Sequence, residues 1–144
     1  MSKTTIKEVL LVEDNPADIY LIQKAVEECR NDIRLWVVTN GVDALTFLRQ
    51  EGSYVHTPPP ALILLDINLP KMPGTEVLAE LRNLSAYHAT PVVMFTSARK
   101  DLEERNCLHL GANAYVEKPA ALADFFAAVQ GIVSQWLTRN SSEE

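Results

Sequence analysis

The chain has 144 residues, 47% of them apolar and 22% charged, and 13 Lys and Arg against 19 Asp and Glu leave a formal charge of −6. Such a composition suits a globular chain able to build its own core and excludes disorder over most of its length. The acidic balance argues against nucleic acid held by bulk charge, because phosphate contacts need clustered Lys and Arg. Cys29 and Cys107 are too few for a disulfide framework or a zinc cluster, and both fall in predicted helices as buried or half-buried thiols of a reducing cytoplasm. The apolar run Val9 to Val12 is too short for a signal peptide, and no later run approaches the roughly 20 residues of a membrane span. The expectation is a soluble cytoplasmic protein of one domain over residues 1–144, with a core from about 6 to 138 and a frayed tail over 139–144.

Strand and helix patterns alternate along the whole chain. Lys7 to Val12 reads as a strand ending in Glu13-Asp14. Asn15-Pro16 then opens a helix, as cap and first helical residue. Ile19, Ile22, Val26 and Cys29 recur at helical spacing and give it one buried face. Ile33 to Val38 is a second strand, Asn40-Gly41 a turn and Val42 to Gln50 a short helix. Glu51 to Pro60 is a loop in which Gly52 and three consecutive prolines forbid regular structure. The continuous apolar run Ala61 to Leu65 marks a central parallel strand covered on both faces, and it ends in Asp66. A loop over Ile67 to Pro73 leads through Gly74 into a helix to about Asn83. Pro91 to Phe95 is a fourth strand ending in Thr96-Ser97, and Arg99 to Leu110 a fourth helix stopped by Gly111. Asn113 to Glu117 is a fifth strand before Lys118-Pro119, and Ala120 to about Thr138 a final helix.

Five β-α units without a linker or repeat predict an α/β fold: a doubly wound, flavodoxin-like (βα)5 chain with a five-stranded parallel sheet of order 2-1-3-4-5. Ligands of such sheets bind outside the carboxyl ends of the strands, where the winding reverses. The residues placed there are Glu13 and Asp14, Asp66, Thr96 and Lys118. Three crowded carboxylates repel one another unless a cation joins them, and an oxygen-only donor set suits Mg²⁺. A carboxylate beside that ion can attack phosphorus and become an acyl phosphate. Asp66, at the end of the most buried strand, is the candidate nucleophile. Glu13 and Asp14 would hold the metal with the backbone carbonyl of Asn68, Lys118 would pair with one phosphoryl oxygen, and Thr96 would donate a hydrogen bond to another. Taken singly, each of these residues reads equally well as a cap, a solvated turn or an exposed loop residue; their joint placement carries the inference.

The segments Leu11-Val12-Glu13-Asp14-Asn15, Leu64-Leu65-Asp66-Ile67-Asn68-Leu69-Pro70 with Met72-Pro73-Gly74, Thr96-Ser97-Ala98 and Tyr115-Val116-Glu117-Lys118-Pro119 together resemble a response-regulator receiver domain of two-component signalling, over essentially the whole chain. The resemblance implies that a sensor histidine kinase passes a phosphoryl group from its phosphohistidine to Asp66. It also implies a cis Lys118-Pro119 peptide, and a switch in which Thr96 moves toward the phosphoryl group while the Tyr115 ring turns inward. The signal would then appear on the face of the fourth helix, fifth strand and fifth helix. Asp66 to Lys71, the long loop with Gly52-Ser53-Tyr54, and Gln130-Gly131-Ile132 with Trp136-Leu137 are similar to receivers paired with phytochromes, which makes a phytochrome-type kinase the expected partner. Lys118-Pro119 follows receivers generally, where some phytochrome partners carry Lys-Ser.

After the fifth helix the expectation is no room for an output module, so the signal would pass to a partner protein, onward by phosphorelay, or into dimerisation. No turnover of a separate substrate is expected. Two other readings remain: a pseudo-receiver that binds without phosphorylation, and a haloacid-dehalogenase-type phosphohydrolase. The latter needs an acid two residues beyond its nucleophile, where Asn68 stands. His56, His88 and His109 lack metal spacing and read as surface or packing residues. Phe125, Phe126, Val129, Ile132, Val133, Trp136 and Leu137 continue an apolar stripe along a helix of about 28 Å. This predicts an overhang that forms a homodimer through the last helix and the fifth strand, the alternative being that the stripe folds back on the fourth helix or loops.

Overall fold

The structure, a computed structural model, describes residues 5–137; the tail expected to fray and the predicted helix end at Thr138 lie outside them. Strands β1 (Lys7–Val12), β2 (Ile33–Val38), β3 (Leu62–Leu65), β4 (Val92–Thr96) and β5 (Ala114–Glu117) alternate with helices α1 (Pro16–Cys29), α2 (Gly41–Leu48), α3 (Gly74–Arg82), α4 (Lys100–Leu110) and α5 (Leu122–Trp136). All strand pairs are parallel and the order is β2-β1-β3-β4-β5, as predicted.

Strand periodicity divides the core in two. Leu10, Val12, Ile63, Leu65 and Met94 point to the face covered by α2, α3 and α4, and Val9, Leu11, Leu62, Leu64 and Phe95 to the face covered by α1 and α5. With both faces covered, residues 9–12 of β1 and the whole of β3 are buried, which is why they read as continuous apolar runs.

Four local expectations change. Asn40-Gly41 is the start of α2 rather than a turn: the Asn40 side chain accepts the Asp43 N–H at 2.8 Å. A Cβ on Gly41 would lie 2.2 Å from the Met72 carbonyl oxygen, so the glycine serves close approach. The long loop contains a 3-10 turn, Gly52–Tyr54, closed by the Tyr54 N–H donating to the Glu51 carbonyl at 2.9 Å and held by Tyr54 packing against Phe47 with ring centroids 5.0 Å apart; Gly52 enters it with a positive φ of 57°. No described peptide bond is cis, so Lys118-Pro119 is trans, the isomer an X-Pro bond favours by about 0.5–1 kcal/mol.

The fourth concerns α5. It has 15 residues, about 22 Å at the helical rise, shorter than the roughly 28 Å expected. Phe125, Val129, Ile132, Val133 and Leu137 are buried within the protein against α1 and the sheet, and Phe126 and Trp136 are half-buried beside them. The apolar stripe is therefore spent internally, on α1 rather than on the fourth helix or loops, and it gives no ground for the expected homodimer. The thiols behave as read, Cys107 buried and Cys29 half-buried. His56, His88 and His109 are all exposed. Among the described residues no helix is long and apolar enough to cross a membrane.

Candidate functional site

Glu13, Asp66 and Lys118 each stand one step beyond a strand whose hydrogen bonds fix their origin. The Glu13 N–H donates to Val38 at 3.0 Å, that of Asp66 to Val12 at 3.1 Å and that of Lys118 to Thr96 at 2.8 Å. The parallel ladder thus carries these residues to one rim. Gly74 makes room there: a Cβ on it would lie 1.9 Å from the Asp66 carbonyl oxygen, so the first turn of α3 can lie against the β3 end only if that residue has no side chain.

Carboxylate oxygens of Glu13, Asp14 and Asp66 lie within 4.8 Å of one another. Glu13 and Asp66 are buried, and Asp14 is exposed. On the other side of this cluster the Lys118 ammonium donates to Glu13 Oε1 at 2.6 Å, Asp18 Oδ2 at 2.8 Å and Asp66 Oδ2 at 3.3 Å. Three donors meet three carboxylates, so the ammonium is saturated, and its side chain is only 6% exposed. Burial alone would lower the Lys118 pKa, but the hydrogen bonds to Asp18 and Glu13 and the charge of Asp66 outweigh it and raise the value. For Glu13, burial and the nearby Asp66 charge outweigh the Lys118 bond and push its carboxyl above the usual range. The rim thus holds four carboxylates against one ammonium, an excess that a divalent cation is suited to offset.

Thr96 is fully buried; its Oγ1 accepts the Ala98 N–H at 3.2 Å. Tyr115 is buried too, its hydroxyl donating to the Ala98 carbonyl at 2.9 Å. Burial, with neighbouring acidic groups, pushes that phenol up to about 12. The Tyr115 ring is thus turned inward in this structure. Asn68 is exposed, its N–H donating to Asp66 Oδ1 at 3.3 Å.

The structure brings Glu13, Asp14, Asp66 and Lys118 together as expected, and adds Asp18, which sequence reasoning missed. Its signal was present but pointed elsewhere. Asp18 is the third residue of a helix capped by Asn15, whose Oδ1 accepts the Asp18 N–H at 3.1 Å, and an acidic residue there is explained by the helix dipole alone.

A family model of the response regulator receiver domain matches residues 9–130. The chain belongs to that family. Response regulator Rcp1 of Synechocystis sp. is 41% identical over 131 residues, covering 91% of this chain and 89% of its own. Among solved structures, the phosphorylated cyanobacterial phytochrome response regulator RcpA superposes with a TM-score of 0.88 at 40% identity, covering 93% of this chain and 96% of its own. The Mn²⁺-bound form of Rcp1 does so with a TM-score of 0.86, also at 40% identity, over 94% and 99%. This receiver is thus similar to response regulators of phytochrome signalling, one of which takes a divalent metal.

Proposed function

We propose that Asp66 accepts a phosphoryl group from the phosphohistidine of a sensor histidine kinase, with Mg²⁺ held by Glu13, Asp14, Asp66 and the Asn68 carbonyl. The observation that carries the reading is Asp66's double membership: it is a Lys118 partner and also a member of the three-carboxylate cluster. The donor set fits the metal, being all oxygen with no His or Cys. When bound, the ion supplies positive charge that offsets the charge spread over the phosphoryl oxygens.

The protein's own groups do the rest. An Asp66 carboxylate oxygen forms the new P–O bond as the P–N bond to the kinase imidazole breaks, the electron pair leaving with the imidazole nitrogen. Lys118 gives up its long 3.3 Å bond to Asp66 and directs that donor to a phosphoryl oxygen. Thr96 turns its hydroxyl to donate to another and so withdraws the acceptor of the Ala98 N–H. Tyr115 holds the carbonyl of the same residue, so the Ala98 peptide transmits the change to the start of α4. The switch thus works by relocking a loop around an already buried ring. The partner expected for this chemistry is a phytochrome-type kinase, as the named relatives suggest, and the output passes to another protein through the face of α4, β5 and α5.

Acetyl phosphate with Mg²⁺ tests the reading. The parent should gain one phosphoryl group by mass, dependent on the metal, and Asp66→Ala should gain none. A parent that stays unlabelled while folded would favour a pseudo-receiver, and continuous phosphate release from added phosphomonoesters a phosphohydrolase.

A further inference from the structure

We infer that Asp18 is a positioning residue for phosphoryl transfer, acting as the brace that keeps Lys118 aimed at the reacting oxygens. The inference rests on the phosphoacceptor reading of Asp66 and adds a residue outside the expected constellation. Lys118 has three carboxylate partners, and they are not equivalent. Glu13 and Asp66 also belong to the cluster suited to a metal, whereas Asp18 does not. Any cation bound there draws on the oxygens of Glu13 and Asp66, and phosphorylation consumes an Asp66 oxygen. Among the described residues, Asp18 is the acceptor left to hold the ammonium throughout.

Asp18 is well placed for that task. It lies in the first turn of α1, whose start is fixed by the Asn15 cap on the Ala17 and Asp18 N–H groups at 2.9 and 3.1 Å. The Asn15 N–H in turn donates to Glu13 Oε2 at 3.1 Å, so the brace and the acidic pair share one rigid corner. Its side chain keeps 21% exposure against 6% for Lys118, so it approaches from the solvent side and closes off the ammonium. An unbraced lysine keeps the rotamer freedom of a long, flexible side chain, and a preorganised donor is worth more in the transition state than one recruited during it.

The test follows phosphorylation of the full chain by acetyl phosphate across a Mg²⁺ titration, for the parent, Asp18→Asn, Asp18→Glu, Lys118→Met and the double variant Asp18→Asn/Lys118→Met. The brace predicts that Asp18→Asn lowers the maximal rate about 5- to 10-fold while the Mg²⁺ half-saturation point stays within about twofold, and that Asp18→Glu recovers part of the loss. In the Lys118→Met background Asp18→Asn should cost nothing further, because the group it positions is gone. An Asp18→Asn protein that labels at the parent rate, or loses as much rate with Lys118 absent as present, overturns the inference and leaves the phosphoacceptor reading standing. A folded parent that never labels sinks that reading and this inference with it.

Discussion

Two buried ionic clusters sit at opposite ends of the sheet, and they are built on opposite principles. At the amino end, Arg30 grips Asp32 with two hydrogen bonds of 2.8 and 2.7 Å and reaches the Val133 and Leu137 carbonyls at 3.4 and 3.3 Å. The guanidinium and carboxylate meet in a fork geometry, with the side chains 3% and 7% exposed, and the cluster ties the ends of α1 and α5 to β2. At the carboxyl end one ammonium faces four carboxylates. Among the described residues, the first cluster matches its guanidinium with a buried carboxylate and two carbonyls. The second keeps surplus charge at an accessible rim, as a site must if it is to take up a cation and a phosphoryl group. On the proposed reading, comparable burial at the two ends serves stability at one and phosphoryl transfer at the other.

Substitutions should separate the two most sharply at the anions. Asp66→Ala should abolish acetyl-phosphate labelling, read as the mass shift of the intact protein, while the far-ultraviolet circular dichroism stays native. Asp32→Ala should leave the labelling of folded protein unchanged and instead cost about 3–5 kcal/mol in denaturant unfolding, because the buried guanidinium loses the carboxylate that takes two of its hydrogen bonds. Equal labelling loss in both variants would show that the two ends are not separate in role.

Cation binding should distinguish them next. Mg²⁺ at a hundred times its dissociation constant should stabilise the parent by about 2.7 kcal/mol through mass action, measured as a rise in melting temperature. Asp14→Asn should remove that response and raise the metal-free melting temperature. Asp14 is exposed and the structure pairs it with no cation among the described residues, so its charge adds repulsion at the rim without holding Lys118. Asp32→Asn should keep the Mg²⁺ response in full. A parent whose melting temperature ignores Mg²⁺ would count against the metal site.

How legible each end was in the sequence follows from the range of the interactions. The apolar runs ending in Glu13, Asp66 and Thr96 announced both the sheet and its rim, since strand order and winding bring strand ends together whatever the side-chain detail. Asp18 was hidden because its tie to Lys118 spans 100 positions while a local role as a first-turn acid accounted for it fully. Arg30 and Asp32 were hidden likewise, because the Val133 and Leu137 carbonyls that help bury Arg30 lie 103 and 107 positions away. The stripe on α5 was visible, but its periodicity records only that a face is covered. Whether α1 or a second molecule covers it is a tertiary fact, and here it is α1.

The smallest expected difference lies in acid. The Arg30 hydrogen bonds, opposed by burial and helped by the charges of Arg30 and Lys7, hold the Asp32 carboxyl below its ordinary value of 3.8. A carboxylate whose folded value is depressed contributes stability that is complete above its unfolded value and lost as pH falls through the folded one. The amino end should therefore protect the fold at neutral pH and cease to do so in acid. Asp32→Asn keeps the shape and a neutral acceptor but has no proton to take up, so it isolates that contribution. Urea unfolding of the metal-free parent and the variant between pH 2.5 and 6 should show the parent ahead by a constant margin above about pH 5, with the margin closing as pH drops below the carboxyl range. A margin that is flat across the whole range, or that widens toward acid, would mean that Asp32 is not held ionised by Arg30, and the contrast between the two clusters would fail at its simpler end.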